Sequence, residues 1–232
     1  MRVLAFDTAT SLTAVALRDF DDADNVCLRA VVDLSAVDDP PPGGRPGHAQ
    51  RLLALIQELL EQSGAGWEAV DRIAVGTGPG TFTGLRIGIA TAQALAAATS
   101  TPLAGVSTLQ SLEQAALALL AEPRPVLAVI DARRGEAFVG GDGLPPSVLT
   151  PQELAVRAAE RSGLGVVAVG DGALKFRDLL ERAGAHVPPD DAPAHRVSAR
   201  EHCRLAALQM PAPGGRIEPT YLRLPDAELA RT

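Results

Sequence analysis

The sequence predicts a mixed α/β fold in two lobes. Strand-like and helix-like runs alternate along the whole chain. Proline-containing breaks at residues 102–105 and 123–125 offer boundaries between two compact parts. With 47% hydrophobic residues among 232, the chain can bury a core in each part. We expect an N-terminal lobe over residues 1–104 and a C-terminal lobe over residues 105–232.

In the first lobe, short apolar runs predict strands and leucine spacing predicts helices. The predicted strands are residues 3–6, 14–17, 28–34, 73–76 and 103–106. A helix over residues 48–62 would place its leucines and isoleucine on one wide face, namely Leu52, Leu53, Ile56, Leu59 and Leu60. The proline- and glycine-rich residues 38–47 predict a loop, and an alanine-rich run predicts a helix over residues 85–99.

In the second lobe, capping residues mark the helix starts. Each of three hydroxyl residues is followed three positions later by Gln or Glu. Ser107 predicts a helix that reaches residue 120, and Thr150 predicts one that starts at residue 151. Ser198 predicts a last helix that reaches residue 209. A further helix is predicted over residues 173–183, ended by Gly184. Predicted strands cover residues 126–131, 136–139 and 166–169.

The most distinctive segment is a glycine-rich loop between a predicted strand and the alanine-rich helix. Residues 76–88 read Gly-Thr-Gly-Pro-Gly-Thr-Phe-Thr-Gly-Leu-Arg-Ile-Gly. Such a loop directs backbone N–H groups at one point, which suits a phosphate, but a tight turn with glycines for packing fits equally well. It is not a Walker A loop, because the only lysine, Lys175, lies far away.

Residues 78–88 resemble the signature of the bacterial TsaB family. Residues 3–10, 129–136 and 219–223 resemble further family segments, so the match runs from end to end. The resemblance implies an actin/Hsp70/sugar-kinase-like (ASKHA) fold, with two lobes built on related mixed sheets. It implies a non-catalytic subunit of the machinery that makes threonylcarbamoyladenosine in tRNA. The implied partners are a TsaD-like catalytic subunit and a TsaE-like ATPase.

The resemblance also bears on metal and nucleotide binding. The catalytic TsaD relatives carry a pair of metal-binding histidines, and those positions fall here on Thr108 and Leu112, which are not metal ligands. We therefore expect no metal, no cofactor and no catalytic residue. Nucleotide-binding relatives use an aspartate and hydroxyls at the end of the first strand for Mg²⁺ and phosphates. The candidate remnant of such a phosphate loop is Asp7, Thr8, Gly78, Gly80 and Thr83.

Other interpretations stay open at these strand ends and in one further loop. Asp7 is also a good turn former. Asp131, at the end of a later predicted strand, begins Asp-Ala-Arg-Arg, which could contact a nucleotide or a partner, or form a solvated ion pair. Residues 170–173, Gly-Asp-Gly-Ala, are the candidate for a second phosphate loop, although they lack a glycine-rich continuation.

The helix over residues 85–99 is apolar nearly all round, which predicts burial on two sides. One stripe would face the sheet, and it comprises Leu85, Ile89, Ala92 and Ala96. The other stripe would meet a partner, together with two residues of the preceding helix; these partner-interface candidates are Ile87, Ala90, Ala94, Ala97, Leu52 and Ile56. The alternative is an internal helix between two lobes.

Composition limits the partners and the location. A net charge of −7, a pI of about 5.1 and 3% aromatic residues provide no basic footprint and few stacking groups for nucleic acid. We therefore expect tRNA to be contacted only indirectly. The distant Cys27 and Cys203 fit reduced thiols. With no apolar run of about 18 residues, we expect a cytoplasmic protein without a membrane segment.

The preferred function is thus a scaffold subunit for a TsaD-like threonylcarbamoyltransferase. The alternative is an ATP-dependent phosphotransferase of the sugar-kinase type that uses the glycine-rich loop. A metalloprotease is a third interpretation, and the missing metal ligands argue against it. The sequence leaves open whether the isolated chain forms a homodimer.

Overall fold

A computed structural model describes residues 1–20, 32–40 and 44–223 of the chain. Strands and helices alternate along it, which confirms the predicted mixed α/β fold. The described strands are β1 (Arg2–Asp7), β2 (Thr13–Asp19), β3 (Asp33–Asp38), β4 (Arg72–Gly78), β5 (Leu103–Ser107), β6 (Val126–Arg133), β7 (Glu136–Gly141), β8 (Leu144–Leu149) and β9 (Val167–Val169). The described helices are α1 (His48–Ser63), α2 (Phe82–Thr99), α3 (Thr108–Leu117), α4 (Pro151–Ala159), α5 (Asp171–Lys175), α6 (Arg177–Arg182) and α7 (Ala199–Ala207).

The chain divides into two compact units that are not two consecutive halves. Unit 1 comprises Met1–Thr77, Thr83–Val106 and Ser198–Pro219. Unit 2 comprises Gly78–Phe82, Ser107–Val197 and Thr220–Thr232. One crossing, after Val106, falls beside the boundary predicted at residues 104 and 105. Two segments depart from consecutive halves: residues 78–82 belong to unit 2, and α7 returns to unit 1, where it packs on β1 and β2.

Unit 1 is built on a five-stranded sheet in the order β3-β2-β1-β4-β5. β1 is antiparallel to β2 and parallel to β4. Its core joins the strands to α1 and α2 through fully or nearly fully buried side chains, including Leu4, Phe6, Leu17, Leu52, Ile56, Ile73 and Ile89. The Arg72 guanidinium donates to the carbonyls of Ala206 and Gln209 at the end of α7, which ties the last helix to β4.

Unit 2 is built on a four-stranded sheet in the order β8-β7-β6-β9. β6 is antiparallel to β7, β7 is antiparallel to β8, and β6 is parallel to β9. The first four strands of unit 1 have the same arrangement. In each sheet three successive strands form an antiparallel meander, and the fourth strand pairs in parallel with the first, on its free side. The prediction of two related mixed sheets is therefore confirmed.

Three elements differ from the sequence prediction. β3 extends to Asp38 rather than ending at residue 34, because its alternate side chains Leu34 and Ala36 pack on the core. The first part of that prediction, residues 28–31, lies outside the described residues. β8 was missed because it contains Pro145 and Pro146, which are accommodated at the edge of the sheet.

The predicted helix over residues 173–183 is two short helices, α5 and α6, separated at Phe176. The Phe176 backbone is non-helical there, and its carbonyl accepts the N–H groups that start α6. Propensity alone gives no signal for this break, because both sides contain good helix formers.

Two further observations concern cysteine and membranes. The Cys203 thiol is fully buried, and this burial raises its pKa; Cys27 lies outside the described residues. Within the part of the chain that the structure describes, every helix is too short or too polar to cross a membrane.

Candidate functional site

The end of β1 places a carboxylate in the interior of unit 1. Asp7 is 1% exposed, and its Oδ1 accepts the backbone N–H of Ala9 at 2.7 Å. A Cβ added at Gly76, in the neighbouring strand β4, would collide with this carboxylate. Gly76 is therefore needed for the close approach of β4 to Asp7.

His202 of α7 lies beside Asp7. Its Nε2 lies 3.0 Å from Asp7 Oδ2, and both side chains are almost completely buried. Among the described residues Nε2 forms no hydrogen bond, so the contact with Asp7 is one of proximity. Its Nδ1 lies 3.0 Å from the carbonyl oxygen of Ser198. Both ring nitrogens therefore lie close to oxygen atoms.

The hydroxyl of Thr8 is also used internally. Its Oγ1 donates to the carbonyl of Gly84 in the first turn of α2 at 2.7 Å. A Cβ added at Gly88 would lie 2.5 Å from the same Oγ1, so this glycine makes room for the hydroxyl. Two glycines of the glycine-rich segment, Gly76 and Gly88, thus serve close packing against Asp7 and Thr8.

His48, the first residue of α1, holds the turn that follows Asp7. Its Nδ1 lies 2.8 Å from Thr13 Oγ1 and its Nε2 lies 3.1 Å from the Thr10 carbonyl. These partners fit the neutral ring, in which Nε2 donates to the carbonyl and Nδ1 accepts from the hydroxyl. Burial lowers the pKa of His48, and this effect outweighs the opposing influence of Asp7 and Asp38.

Of the loop residues of the predicted phosphate site, Gly78 and Gly80 lie in unit 2 and Thr83 lies in unit 1. Gly78 ends β4 and donates its N–H to Thr108 Oγ1 at 3.2 Å, and the Gly78–Pro79 peptide is cis. Gly80 is partly buried, whereas Thr83, which belongs to unit 1, is exposed. Asp7 and Thr8 lie in unit 1, where they contact His202 and α2.

The two positions of the relatives' metal ligands are part of the core of unit 2. Thr108 is fully buried and Leu112 is 1% exposed within an apolar cluster. Across residues 1–20, 32–40 and 44–223, no three His, Cys, Asp or Glu side chains are grouped so that they could hold a metal ion.

A second aspartate turn lies at the end of β6, at the position in unit 2 that corresponds to Asp7. Asp131 Oδ1 accepts from Lys175 Nζ at 2.6 Å and from the backbone N–H of Arg133 at 2.9 Å. The backbone N–H of Asp131 donates to Asp171 Oδ1 at 3.0 Å, and burial raises the pKa of Asp171. A Cβ at Gly172 would lie 2.7 Å from the β6 backbone, so residues 170–172 pack directly against β6.

The predicted partner stripe of α2 is divided by the structure. Ala90, Ala94 and Ala97 are exposed, and Ile87 is partly buried against the core of unit 1. Leu52 and Ile56 are 1% and 0% exposed, which removes them from any accessible surface and corrects that part of the prediction. Leu52 and Ile56 belong to the face of α1 that packs on the core of unit 1. On the same helix Leu55 is buried, whereas Leu53 is 55% exposed.

Sequence reasoning selected Asp7, Thr8 and the glycine-rich loop but missed His202 as a partner. The available signal was weak: His202 lies among Cys203, Leu205 and Ala206, which are the buried residues of α7. A histidine on the apolar face of a helix needs a polar partner, but sequence spacing does not identify one so distant along the chain.

The matching family model and two named relatives all concern threonylcarbamoyladenosine synthesis. The family model described as "TsaD: tRNA N6-adenosine threonylcarbamoyltransferase" matches residues 41–145. The chain is 34% identical, over an alignment of 238 positions, to the tRNA threonylcarbamoyladenosine biosynthesis protein TsaB of Escherichia coli, covering 96% of this chain and 95% of that protein. It is 43% identical to TsaB of Haemophilus influenzae over 91 residues, or 39% of this chain and 38% of the relative.

Two solved structures from Pseudomonas aeruginosa resemble the chain. One, described as an uncharacterized protein with similarity to peptidase YEAZ, has a TM-score of 0.71 and 30% identity, covering 96% of this chain and 99% of the other. The second, YeaZ, has a TM-score of 0.68 and 30% identity, covering 89% and 92%.

Proposed function

The chain belongs to the TsaB family, and on this premise we propose that it is the non-catalytic scaffold subunit of a tRNA threonylcarbamoyladenosine synthesis complex. Its role lies in threonylcarbamoyladenosine biosynthesis, as it does for the named relatives. In this proposal it binds and supports a TsaD-like subunit, which carries out the transfer of the threonylcarbamoyl group to tRNA. A TsaE-like ATPase would join the assembled complex.

One observation carries the non-catalytic part of the proposal: the polar groups at the end of β1 are buried and engaged internally. Asp7 would have to leave His202 and the Ala9 N–H before it could coordinate Mg²⁺. Thr8 would have to release the first turn of α2 before its hydroxyl could reach a phosphate. Each change leaves a buried polar group without its partner, which is costly.

Burial and internal contacts also argue against metal-assisted group transfer by this chain, at the two positions of α3 that correspond to the relatives' metal ligands. Thr108 and Leu112 are enclosed in the core of unit 2, and Thr108 Oγ1 already accepts the N–H of Gly78. We therefore assign the metal and the chemical step to the TsaD-like subunit. The sugar-kinase alternative would need Asp7 and Thr8 free to handle phosphates, so their internal contacts count against it.

The exposed alanines of α2 are the proposed contact with the TsaD-like subunit. Ala90, Ala94 and Ala97 present a strip of methyl groups, over which another helix can approach closely because no long side chain intervenes. The helix lies within the stretch matched by the TsaD family model. The same strip would also join two copies of the isolated chain, because the same surface patch on each copy can pair across a two-fold axis.

Recovery of the native complex tests this proposal. The chain would be tagged at its natural expression level, purified from extract of its own cell, and the recovered proteins quantified by mass spectrometry. We expect a TsaD-like protein in roughly equal molar amount. Recovery of the chain alone, or with a sugar-metabolising enzyme instead, would count against a role as a TsaD-like subunit's scaffold.

A further inference from the structure

A segment late in the chain packs against the loop Gly78–Phe82. Both belong to unit 2, where the late segment starts at Thr220. The rings of Phe82 and Tyr221 lie with their centroids 5.2 Å apart and their planes tilted by 32°. Aromatic rings attract each other at this separation. Two of the segments that carry the family resemblance are thus neighbours in the fold.

The two residues that follow Tyr221 make contacts of two other kinds. Leu222 is partly buried against the apolar cluster built from α3, β6, β7 and β9. Arg223 Nη1 donates to Oε2 of Glu136, the first residue of β7, at 2.8 Å. Residues 221–223, the tail latch, are therefore held to unit 2 by a ring, an apolar side chain and an ion pair.

The tail latch holds one end of this loop, and α3 holds the other. At the start of the loop, the Gly78 N–H donates to Thr108 Oγ1 at 3.2 Å, and Pro79 is buried. At its end, Phe82 contacts Tyr221. Phe82 is also the first residue of α2, whose exposed alanines are the proposed contact with the TsaD-like subunit. The tail latch therefore acts on the residue at which the loop passes into that helix.

The two anchors of the loop differ in their exposure to solvent. Thr108 is fully buried, whereas Tyr221 is 42% exposed. The ion pair between Arg223 and Glu136 is also partly exposed, and such pairs contribute little to stability because water screens them. A segment held by partly exposed contacts can open without unfolding the core. The end of the loop can thus be held or released while unit 2 stays folded.

We propose that the tail latch sets the loop conformation in which the chain binds the TsaD-like subunit. This inference rests on the proposed function, which supplies the partner. The latched form binds, so the apparent affinity falls as the latched fraction of the molecules falls. Tyr221 and Arg223 are positioning residues, because they act on the partner through the loop.

Binding kinetics separate this role from a direct contact with the partner. A positioning role lowers the association rate, because fewer molecules are ready to bind, and leaves the dissociation rate of the formed complex unchanged. Loss of a direct contact raises the dissociation rate instead. Both rates would be measured with immobilised TsaD-like subunit and the full-length chain.

The test variant is Tyr221→Ala with Arg223→Gln, which removes the ring contact and the ion pair. The conservative variant, Tyr221→Phe with Arg223→Lys, keeps a ring and a cation. The matched control is Met210→Ala, which truncates an exposed side chain of unit 1 that precedes the tail latch in sequence. Hydrogen exchange of the backbone amides of Gly80, Thr81 and Phe82 reports release of the loop.

We expect the test variant to speed exchange of these three amides by about ten-fold, as the loss of one aromatic contact requires. Its association rate should fall about five-fold, with an unchanged dissociation rate. The conservative variant and Met210→Ala should match the wild type in exchange and in both rates. Exchange in β6, which belongs to the core of unit 2, should be the same in all four proteins.

Several results would overturn the inference. If the loop amides exchange faster but the association rate is unchanged, the tail latch does not govern binding. If only the dissociation rate rises, Tyr221 or Arg223 contacts the partner directly. If exchange speeds up throughout β6 as well, these residues belong to the core rather than to a latch. A conservative variant as impaired as the test variant would exclude the ring and the cation as the means of positioning.

Failure of the proposed function has a different signature. If the wild-type chain does not bind the TsaD-like subunit, the proposed function itself fails. If the wild type binds and the test variant matches it in loop exchange and in both rates, the tail latch alone is refuted.

Discussion

At the scale of single residues, the interior of unit 1 is organised by polar side chains that reach across the sequence. Asp7 pairs with His202 from the last helix, and His48 from the first helix bonds the turn that follows Asp7. Each side chain is almost completely buried, so each needs the partner it has. These contacts fix the end of β1 and the start of β2, and they engage the Asp7 carboxylate within unit 1.

The Asp7–His202 pair should dominate the stability of unit 1. Replacing His202→Leu removes the imidazole that lies 3.0 Å from the buried Asp7 carboxylate and should lower the free energy of unfolding by about 3 kcal/mol. The measurement is urea denaturation of the purified chain. The control is Arg200→Leu, on the same helix as His202. It removes an exposed ion pair with Asp33 of β3 and should lower the free energy of unfolding by under about 1 kcal/mol.

A double variant separates charge pairing from simple packing. Asp7→Asn with His202→Leu removes the carboxylate charge together with the imidazole, so it should be less destabilised than the sum of the two single variants. Strict additivity would mean that the two side chains do not interact, despite the 3.0 Å that separates them.

His48 should make the chain sensitive to mild acid. Its pKa is lowered from 6.5 in the folded protein, so the unfolded chain takes up a proton first as pH falls. Its stabilising contribution is complete above pH 6.5 and declines as pH falls below that value toward the lowered pKa. Thermal melting between about pH 8 and about pH 5 should show a smaller loss of stability in His48→Gln than in the wild type.

The exposed His186 provides the matched control for that titration. His186→Gln should follow the wild-type curve across the same pH range. If His48→Gln and His186→Gln behave alike, the burial of His48 has no part in the acid response.

At the scale of elements, helices with capping signals were the most predictable part of the fold. Ser107, Thr150 and Ser198 each accept the predicted backbone N–H, and α3, α4 and α7 begin at the following residue. These starts are local chemistry, which a sequence records directly. β8 was hidden by its prolines, and the break between α5 and α6 by good helix formers on both sides.

The phase of α1 and α2 was predictable only in part. The sequence identified Leu85, Ile89, Ala92 and Ala96 as the inner stripe of α2, and all four are buried. In α1 the sequence prediction placed Leu53 on the apolar face, whereas the structure exposes Leu53 and buries Leu55. Only the packing of the helix on β2 and β3 selects the buried face.

The exposed alanines of α2 should be required for assembly and not for folding. Ala94→Arg would place a charge in the proposed apolar contact, where an unpaired buried charge costs several kcal/mol and each 1.4 kcal/mol is about ten-fold in affinity. We expect near-normal melting of the isolated chain, loss of association with the TsaD-like subunit in gel filtration, and loss of tRNA modification.

The control is Val156→Arg, an exposed apolar residue of α4 in unit 2. It should melt, associate and support modification normally. If Ala94→Arg unfolds the chain, Ala94 is needed for the core. If it associates normally, α2 is not the contact surface.

At the scale of the whole molecule, two sheets with the same strand order each have an aspartate turn at the end of their first strand. Asp7 and Asp131 both accept the backbone N–H two residues later, and both contact a basic side chain of a later helix. The sequence shows no short repeat, because the shared feature is strand order rather than residue identity. Pairing across the sheet is set by long-range contacts, so it becomes visible only in the folded chain.

The most direct test of a non-catalytic scaffold is reconstituted synthesis of threonylcarbamoyladenosine on tRNA. The TsaD-like subunit, tRNA, a threonylcarbamoyl-adenylate donor and the TsaE-like ATPase would be assayed with and without the chain. We predict modification only when the chain is present, and none when the TsaD-like subunit alone is omitted. Full modification without the chain, or modification by the chain in the absence of the TsaD-like subunit, would contradict the scaffold role.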